Sequence, residues 1–276
     1  MSTDWGANFA SAGLDAMTAY DEILVPRLFI SWAHLLLDQV GVAPGASVLN
    51  VACGPGSVTR LVAGRVGRSG QVTGCDLSPA MLEVAQSKPP VSDGAPITYR
   101  QCPADALDVP DGAFDVVLCQ QGLMFFPDRV AALAEMRRAL KPDGRAGVAV
   151  WCAIEECPLF EGVALAIGDV VGKEAELAYR NGPWGLGDAA DLDGLFAAAG
   201  FRHVDIRRHT LPVVFEGGAG QLVATLPAAS VGPQVAALDG EGRAALLAAA
   251  EQHLRPLLHD GEVHSPTAAH IVLANP

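Results

Sequence analysis

The sequence predicts an α/β fold, a mostly parallel sheet with helices on both of its faces, and three observations predict it. Short apolar stretches recur between Ser47 and Trp151 without the polar alternation of a half-exposed strand, as expected of strands buried on both faces. Helical segments separate them, so successive strands run parallel. A glycine-rich turn follows the first stretch and opens a helix, and an acidic residue closes the second.

Leu14 to Val40 reads as helix, with Ile23, Leu24, Leu28, Trp32, Leu35 and Leu36 at roughly helical spacing. Pro26 is expected to kink or split it, because proline lacks the N–H and crowds the preceding turn. Ser47–Val51 is the first strand, followed by a helix from about Ser57 to Gly64. Gln71–Cys75 is the second strand, ended by Asp76. Ser78-Pro79 then opens a helix with a hydroxyl cap and a first-turn proline. Pro96–Gln101 is a weaker third strand and Phe114–Cys119 a fourth, nearly all apolar. Pro127–Leu140 is an amphipathic helix stopped by Lys141-Pro142-Asp143-Gly144, and Arg145–Trp151 is the fifth strand. Beyond it, Glu155–Gly187 and Gly217–Glu262 interrupt the regularity as insertions over one rim. A helix (Leu192–Ala199) and a strand (Val204–Arg208) lie between them, and a last strand, Ala268–Ala274, follows. Three segments result: a helical lead-in (1–43), a core (44–152) and a remainder carrying both insertions (153–276).

Composition narrows the function classes. The 276 residues carry 18 Lys+Arg against 31 Asp+Glu, a net charge of −13. That balance repels phosphate backbones and anionic lipid, so nucleic acid and membrane are not expected partners. Half of the residues are apolar, enough for a sizeable core. The longest unbroken apolar run, Ala146 to Ile154, falls far short of the ~20 residues of a bilayer crossing, and no membrane span is expected. The N-terminus shows neither basic start nor apolar signal core. Six cysteines without a Cys-x-x-Cys pair read as buried free thiols, and the expected location is cytoplasmic, with no metal site.

The chemistry-bearing segment is Val48-Leu49-Asn50-Val51-Ala52-Cys53-Gly54-Pro55-Gly56-Ser57-Val58-Thr59. Gly54 and Gly56 let the backbone turn tightly and approach a ligand closely. The helix that follows offers free N–H groups. Asp76, at the next strand end, can accept from two ribose hydroxyls. Together these features point to a nucleoside ligand. Thr59 stands where a dinucleotide fingerprint needs its third glycine, which argues against NAD.

These residues resemble the class I S-adenosylmethionine-dependent methyltransferases, in particular the small-molecule group typified by ubiquinone/menaquinone biosynthesis. The resemblance rests on Val48–Gly56, Gly74–Leu82, Ala104-Asp105-Ala106, Val109–Val117 and Arg138–Gly144, with Ala199-Gly200-Phe201 and the stretch from Tyr20 to Ala33 as weaker matches. It implies a Rossmann-like, seven-stranded sheet with a reversed last strand and a helical lid, and S-adenosyl-L-methionine as cofactor. It implies that Asn50, Ala52, Gly54 and Gly56 belong to the loop holding the methionine part. Asp76 would bind the ribose, with Leu77 and Met81 flanking the adenine. Ala104, Asp105 and Ala106 would address the adenine edge, Asp105 accepting from its amino group and Ala106 donating through its N–H. Gln120 would sit near the sulfonium. The family usually has Asp or Glu at the position of Asn50.

Other readings stand beside these. Asp105 also suits a helix N-cap, Met81 and Leu77 suit plain core, and Gln120 and Gln121 suit a backbone-satisfying strand end. For the substrate, Tyr20, Phe29, Met124, Phe125, Trp151 and His209 are the candidates, with core packing as the alternative for the apolar ones and a packed or surface histidine for His209. No catalytic base is assigned among the seven histidines. The expected function is methylation, at O, N or C, of a small apolar or aromatic metabolite of secondary metabolism. The alternative is a protein of this fold that binds the cofactor and catalyses another reaction, such as a cyclisation. The expected partner is a small molecule, with a homodimer left open.

Overall fold

The structure, a computed structural model, describes residues 13–276. Residues 1–12 of the 1–43 lead-in lie outside the described residues. Seven strands form one sheet: β1 (Ser47–Val51), β2 (Gln71–Asp76), β3 (Ile97–Gln101), β4 (Phe114–Gln120), β5 (Leu140–Trp151), β6 (Arg202–Phe215) and β8 (Glu262–Asn275). Their order is β3-β2-β1-β4-β5-β8-β6, and a two-residue β7 (Leu258–His259) pairs with β8. β1 to β5 are mutually parallel, and β8 runs antiparallel to both β5 and β6, as the reversed last strand expected at Ala268–Ala274.

Each face of the sheet has its own core. Val48, Val116 and Leu118 pack with Leu36 of α2 (Ile30–Val40) and with Val58 and Val62 of α3 (Ser57–Val66). Leu49, Val51, Val117 and Cys119 point the other way. They meet Leu133 and Met136 of α5 (Arg129–Ala139) and Phe196 of α8 (Ala189–Ala198). Alternating side chains of one strand thus enter opposite cores, which is why the strands read as continuous apolar runs. α4 (Pro79–Ser87) links β2 to β3 on the α3 side, capped by the Ser78 hydroxyl, which accepts from Met81 N–H at 3.3 Å.

The lead-in forms an unbroken helical run from Leu14 to Val40. It comprises α1 (Leu14–Ala19), a π-helical stretch (Tyr20–Phe29) and α2. Pro26 is absorbed inside the wider π turn without splitting the helix. By length, 27 residues, and by a mean hydropathy of 1.3, this run could cross a bilayer, contrary to the expectation that no segment qualifies. Its apolar residues Trp32, Ala33, Leu36, Leu37 and Val40 are instead buried against the sheet.

Three strands depart from their expected bounds, β8 by starting at Glu262 instead of Ala268. β5 starts at Leu140, which pairs with Phe114; the ladder then skips Lys141–Gly144 and resumes at Val116 with Arg145. β6 extends to Phe215, well past Arg208. β5 pairs with β8 only as far as Trp151 opposite Ala269, so the halves of β6 and β8 from Thr210 to Phe215 and from Val263 to Ala268 continue as a two-stranded ribbon beyond the rim. α6 (Pro158–Val170) packs on β8 and against α7 (Lys173–Asn181) and α11 (Gly240–Leu254). The two sequence insertions therefore share one helical cap, completed by α9 (Gly218–Val223) and α10 (Gly232–Ala236). Trp32 Nε1 donates to Thr267 Oγ1 at 3.1 Å, and Arg27 pairs with Glu216 at 2.7 Å, tying the lead-in to the ribbon.

Candidate active site

In this strand order the chain runs outward through β1, β2 and β3, then returns to place β4 on the other side of β1. The carboxyl ends of β1 and β4 mark the switch point, where ligands of open α/β sheets bind. A cavity of about 310 Å³ opens there, walled by the ends of β1, β2 and β4, the loop after β3 and the π-helical stretch.

Asp76 organises its floor. Oδ2 accepts from Gly54 N–H at 2.7 Å and Oδ1 from Ser78 N–H at 2.9 Å. One carboxylate thus fixes both the glycine turn and the entry to α4. Burial pushes its pKa up, against the amides of Ser78, Gly54 and Leu77, which pull it down. Each oxygen keeps a lone pair for a further donor. Gly54 takes φ +53° and lines the cavity. Gly56, at φ +81°, serves packing instead. A Cβ there would collide with the Tyr99 hydroxyl and press on Ala85 at 3.1 Å, so the glycine lets α3 pack against β3 and α4, and it does not line the cavity.

Of the remaining expected cofactor contacts, Ala52, Leu77, Met81, Ala104, Asp105 and Gln120 line the cavity; Leu77 is exposed at its mouth. Two do not. Asn50 lies buried below the floor, donating from Nδ2 to Thr59 Oγ1 at 3.0 Å, with Oδ1 unpartnered among the described residues. Ala106 turns its N–H to the Pro103 carbonyl at 3.3 Å and faces an outer groove. The Gln120 side chain donates to the Phe29 carbonyl at 3.0 Å, while its Oε1 has no partner among the described residues.

Among the substrate candidates, Tyr20 and Phe125 line the cavity. Burial, and then the charges of Asp76 and Asp21, push the Tyr20 phenol upward. Tyr20 stacks on Phe29 with ring centres 5.4 Å apart. The rings continue through Trp151 (6.2 Å), Phe160 (6.4 Å) and Trp184 (4.9 Å) into the cap. Phe29 and Trp151 thus form the layer behind the cavity wall. Met124 is fully buried outside the cavity, its carbonyl accepting from Arg129 at 3.0 Å. His209 is opposite Ala269 on β6, two strands from Trp151; its Nε2 is buried without a partner among the described residues, and it does not line the cavity.

Sequence reasoning did not single out Cys75, Cys102 and Gln121 for this wall. Gln121 is buried, with neither end of its amide partnered among the described residues. Its φ of +54° and that of Ala52, +52°, place two non-glycine residues in the left-handed region at adjoining strand ends. Such strain gathers at functional sites. Side-chain identity carries no signal for it, since both residues are ordinary in strands and loops.

The wall suits a nucleoside-bearing cofactor: a carboxylate with free lone pairs beside a glycine turn, an apolar clamp from Met81 and Leu77, and unpartnered amide atoms of Gln120 and Gln121. Comparisons with known proteins agree. The sequence profile of the family described as "Methyltransferase domain" matches residues 49–148. The demethylmenaquinone methyltransferase of Lactococcus lactis is 32% identical over 212 residues, covering 73% of this chain and 82% of that protein. The fold resembles the Haemonchus contortus phosphoethanolamine N-methyltransferase 2 in complex with S-adenosyl-L-methionine, with a TM-score of 0.60 and 17% identity over 96% of this chain and 57% of that one. It also resembles the [4+2]-cyclase SpnF, with a TM-score of 0.53 and 20% identity over 90% and 81% of the two chains. The chain belongs to the class I S-adenosylmethionine-dependent methyltransferases, as a distant relative of the quinone-biosynthesis enzymes.

Proposed function

We propose that the protein methylates a small apolar or aromatic metabolite held between the cofactor cavity and the helical cap. The observation that carries this is the aromatic lining of the cavity, Tyr20, Phe125 and Phe126, with Tyr20 backed by the packed rings of Phe29 and Trp151. Aromatic walls bind flat apolar rings through area and edge-to-face contact. The Lactococcus relative is named for methylating demethylmenaquinone.

S-adenosylmethionine, when bound, supplies an electrophilic methyl group on sulfur. Asp76 would hold the ribose, Leu77 and Met81 would clamp the adenine, Asp105 would accept from its amino group, and Gln120 would lie by the sulfonium. What is left to the protein is alignment and exclusion of water. The lead-in (1–43) with the two insertions acts as the lid; the Arg27–Glu216 and Trp32–Thr267 contacts tie the lead-in to the ribbon from which the second insertion springs. The titratable side chains of the wall are Tyr20, Asp76, Asp105, Cys75 and Cys102, and none is a histidine. A nucleophile that reacts without a strong base, such as an enolic carbon, suits that set better than a neutral alcohol, which benefits from one.

The same lack of a histidine supports a second reading, a reaction without methyl transfer, for which the fold likeness to a cyclase is a precedent of architecture only. Cytoplasmic location belongs to the proposal too, on six buried, unbridged thiols. Incubation with methyl-labelled cofactor and a metabolite extract, followed by mass spectrometry, tests it. A labelled ring-bearing product and demethylated cofactor are expected. Turnover of an extract component with the label retained on the cofactor would favour the second reading.

A further inference from the structure

Cys75 and Cys102 are not accounted for by cofactor binding, yet both line the cavity. Cys75 lies in β2, opposite Arg100 of β3, and Cys102 comes two residues after Arg100, so both thiols project from the same sheet face. Diagonal neighbours on adjacent strands, the two thiols bias one another's titration in opposite directions. Asp76 is built into the same junction: its carbonyl accepts the Cys102 N–H at 3.2 Å, while its carboxylate holds the glycine turn. The pair therefore sits at the nucleoside end of the cavity, beside the proposed ribose anchor.

We propose that Cys75 and Cys102 form a dithiol modification site for hydroperoxides, in which Cys102 is the attacking thiol, Cys75 resolves it, and the resulting disulfide excludes the cofactor. The other cysteines give the contrast. All six thiols are buried; burial pushes Cys53, Cys119, Cys152 and Cys157 upward, and the Cys102 neighbour together with burial pushes Cys75 upward, away from the reactive thiolate. Cys102 alone is drawn downward, first by the neighbouring Cys75 thiol and then, against its own burial and the Asp108 charge, by the Asp108 backbone amide and the Arg100 charge. It is also the one of the pair with more exposure, 8% against 1%, and it faces the cavity by which a small oxidant enters.

The chemistry balances with hydrogen peroxide as oxidant. The Cys102 thiolate sulfur attacks one peroxide oxygen, the O–O bond breaks, and the hydroxide released takes up a proton to leave as water. Cys102 is then a sulfenic acid. The Cys75 sulfur attacks the Cys102 sulfur, the S–O bond breaks, and hydroxide leaves with the proton given up by Cys75. Two thiols have lost two electrons and two protons, and one peroxide has become two waters. Disulfides need Cα atoms within about 7 Å, and diagonal neighbours on adjacent strands, at roughly 7–8 Å, stand just beyond that limit, so the bridge requires backbone movement. Cys102 follows the end of β3, so the loop can close the difference by drawing toward β2. That movement carries Pro103, Ala104 and Asp105, all wall residues, across the adenine end of the cavity.

The test uses the full-length protein, reduced, then treated with hydrogen peroxide with and without S-adenosylhomocysteine. Peptide mapping of the non-reduced digest should find Cys75 joined to Cys102, and calorimetry should show affinity for S-adenosylhomocysteine reduced roughly tenfold or more and restored by dithiothreitol. Bound S-adenosylhomocysteine should slow the cross-link. Cys75→Ser should arrest at a sulfenic acid on Cys102, trapped by dimedone. Should that variant not fold, iodoacetamide on the native wild type substitutes, with Cys102 labelled before the other five. Peroxide that leaves both thiols free, a cross-link that spares cofactor affinity, or first labelling at another cysteine would overturn the proposal.

Discussion

Replacing Asp76 by alanine separates a cofactor anchor from a structural cap, because the carboxylate is placed to be both. Its two oxygens accept from Gly54 and Ser78 amides at 2.7 and 2.9 Å. Removal leaves two amides without their acceptor, each costing about 1–3 kcal/mol if it stays dry. Against this stands the desolvation that burial imposes on the charge, visible in the raised pKa. The net loss of apo stability should be about 1–2 kcal/mol, a melting temperature lower by roughly 2–4 °C for a chain of this size. Two ribose hydroxyls donating to the same carboxylate would contribute about 1.5–3 kcal/mol each, so affinity should fall by at least roughly a hundredfold. Isothermal calorimetry with S-adenosylhomocysteine reads the second quantity and an apo melt the first. The pH profile adds a check of sign. A carboxyl whose folded pKa is raised stabilises the fold relative to the unfolded chain at low pH, and that contribution declines as pH rises from 3.8 through the folded value. The variant should lack this decline. A variant that melts lower while binding S-adenosylhomocysteine with unchanged affinity would reduce Asp76 to a cap and refute the ribose assignment.

Three further outcomes are expected. Ala52→Gly should stabilise the protein by about 0.5–1 kcal/mol in a urea melt, since a left-handed alanine costs roughly 1–2 kcal/mol and glycine returns part of that as unfolded-state entropy; a destabilised variant would show that the alanine methyl packs better than its backbone strains. Glu135 is held below its usual pKa by Arg138, at 2.7 Å, and by the Leu107 amide, at 2.9 Å. Glu135→Gln should cost about 1–2 kcal/mol at neutral pH, and the gap to wild type should close as pH falls below the ordinary value of 4.5 through the depressed one; a gap independent of pH would exclude the charge as its cause. Hydrogen exchange in 20–29 and 217–262 should slow together when S-adenosylhomocysteine and a substrate bind, because lids are drawn from the less stable parts of a fold; exchange indifferent to ligand in either segment would identify a rigid appendage.

What the sequence determined by itself was local. β1 to β5, the helices between them and the Gly54 turn are written in apolar runs, caps and glycines within a few residues of one another, and each of those signals acts over that same distance. Asp76 was legible because its place at a strand end is local too. The tertiary structure decided whatever depends on partners far along the chain. Whether Asn50 and Ala106 face the cavity is set by Thr59 and Pro103, which claim their hydrogen-bonding groups first. The length of β6 is set by β8, which pairs with it over the whole ribbon. The ring series joins the lead-in, the end of β5 and the cap, and the pairing of β2 with β3 makes neighbours of Cys75 and Cys102. Such contacts leave no period in the sequence, since packing selects side chains by the space between elements and not by their spacing along the chain.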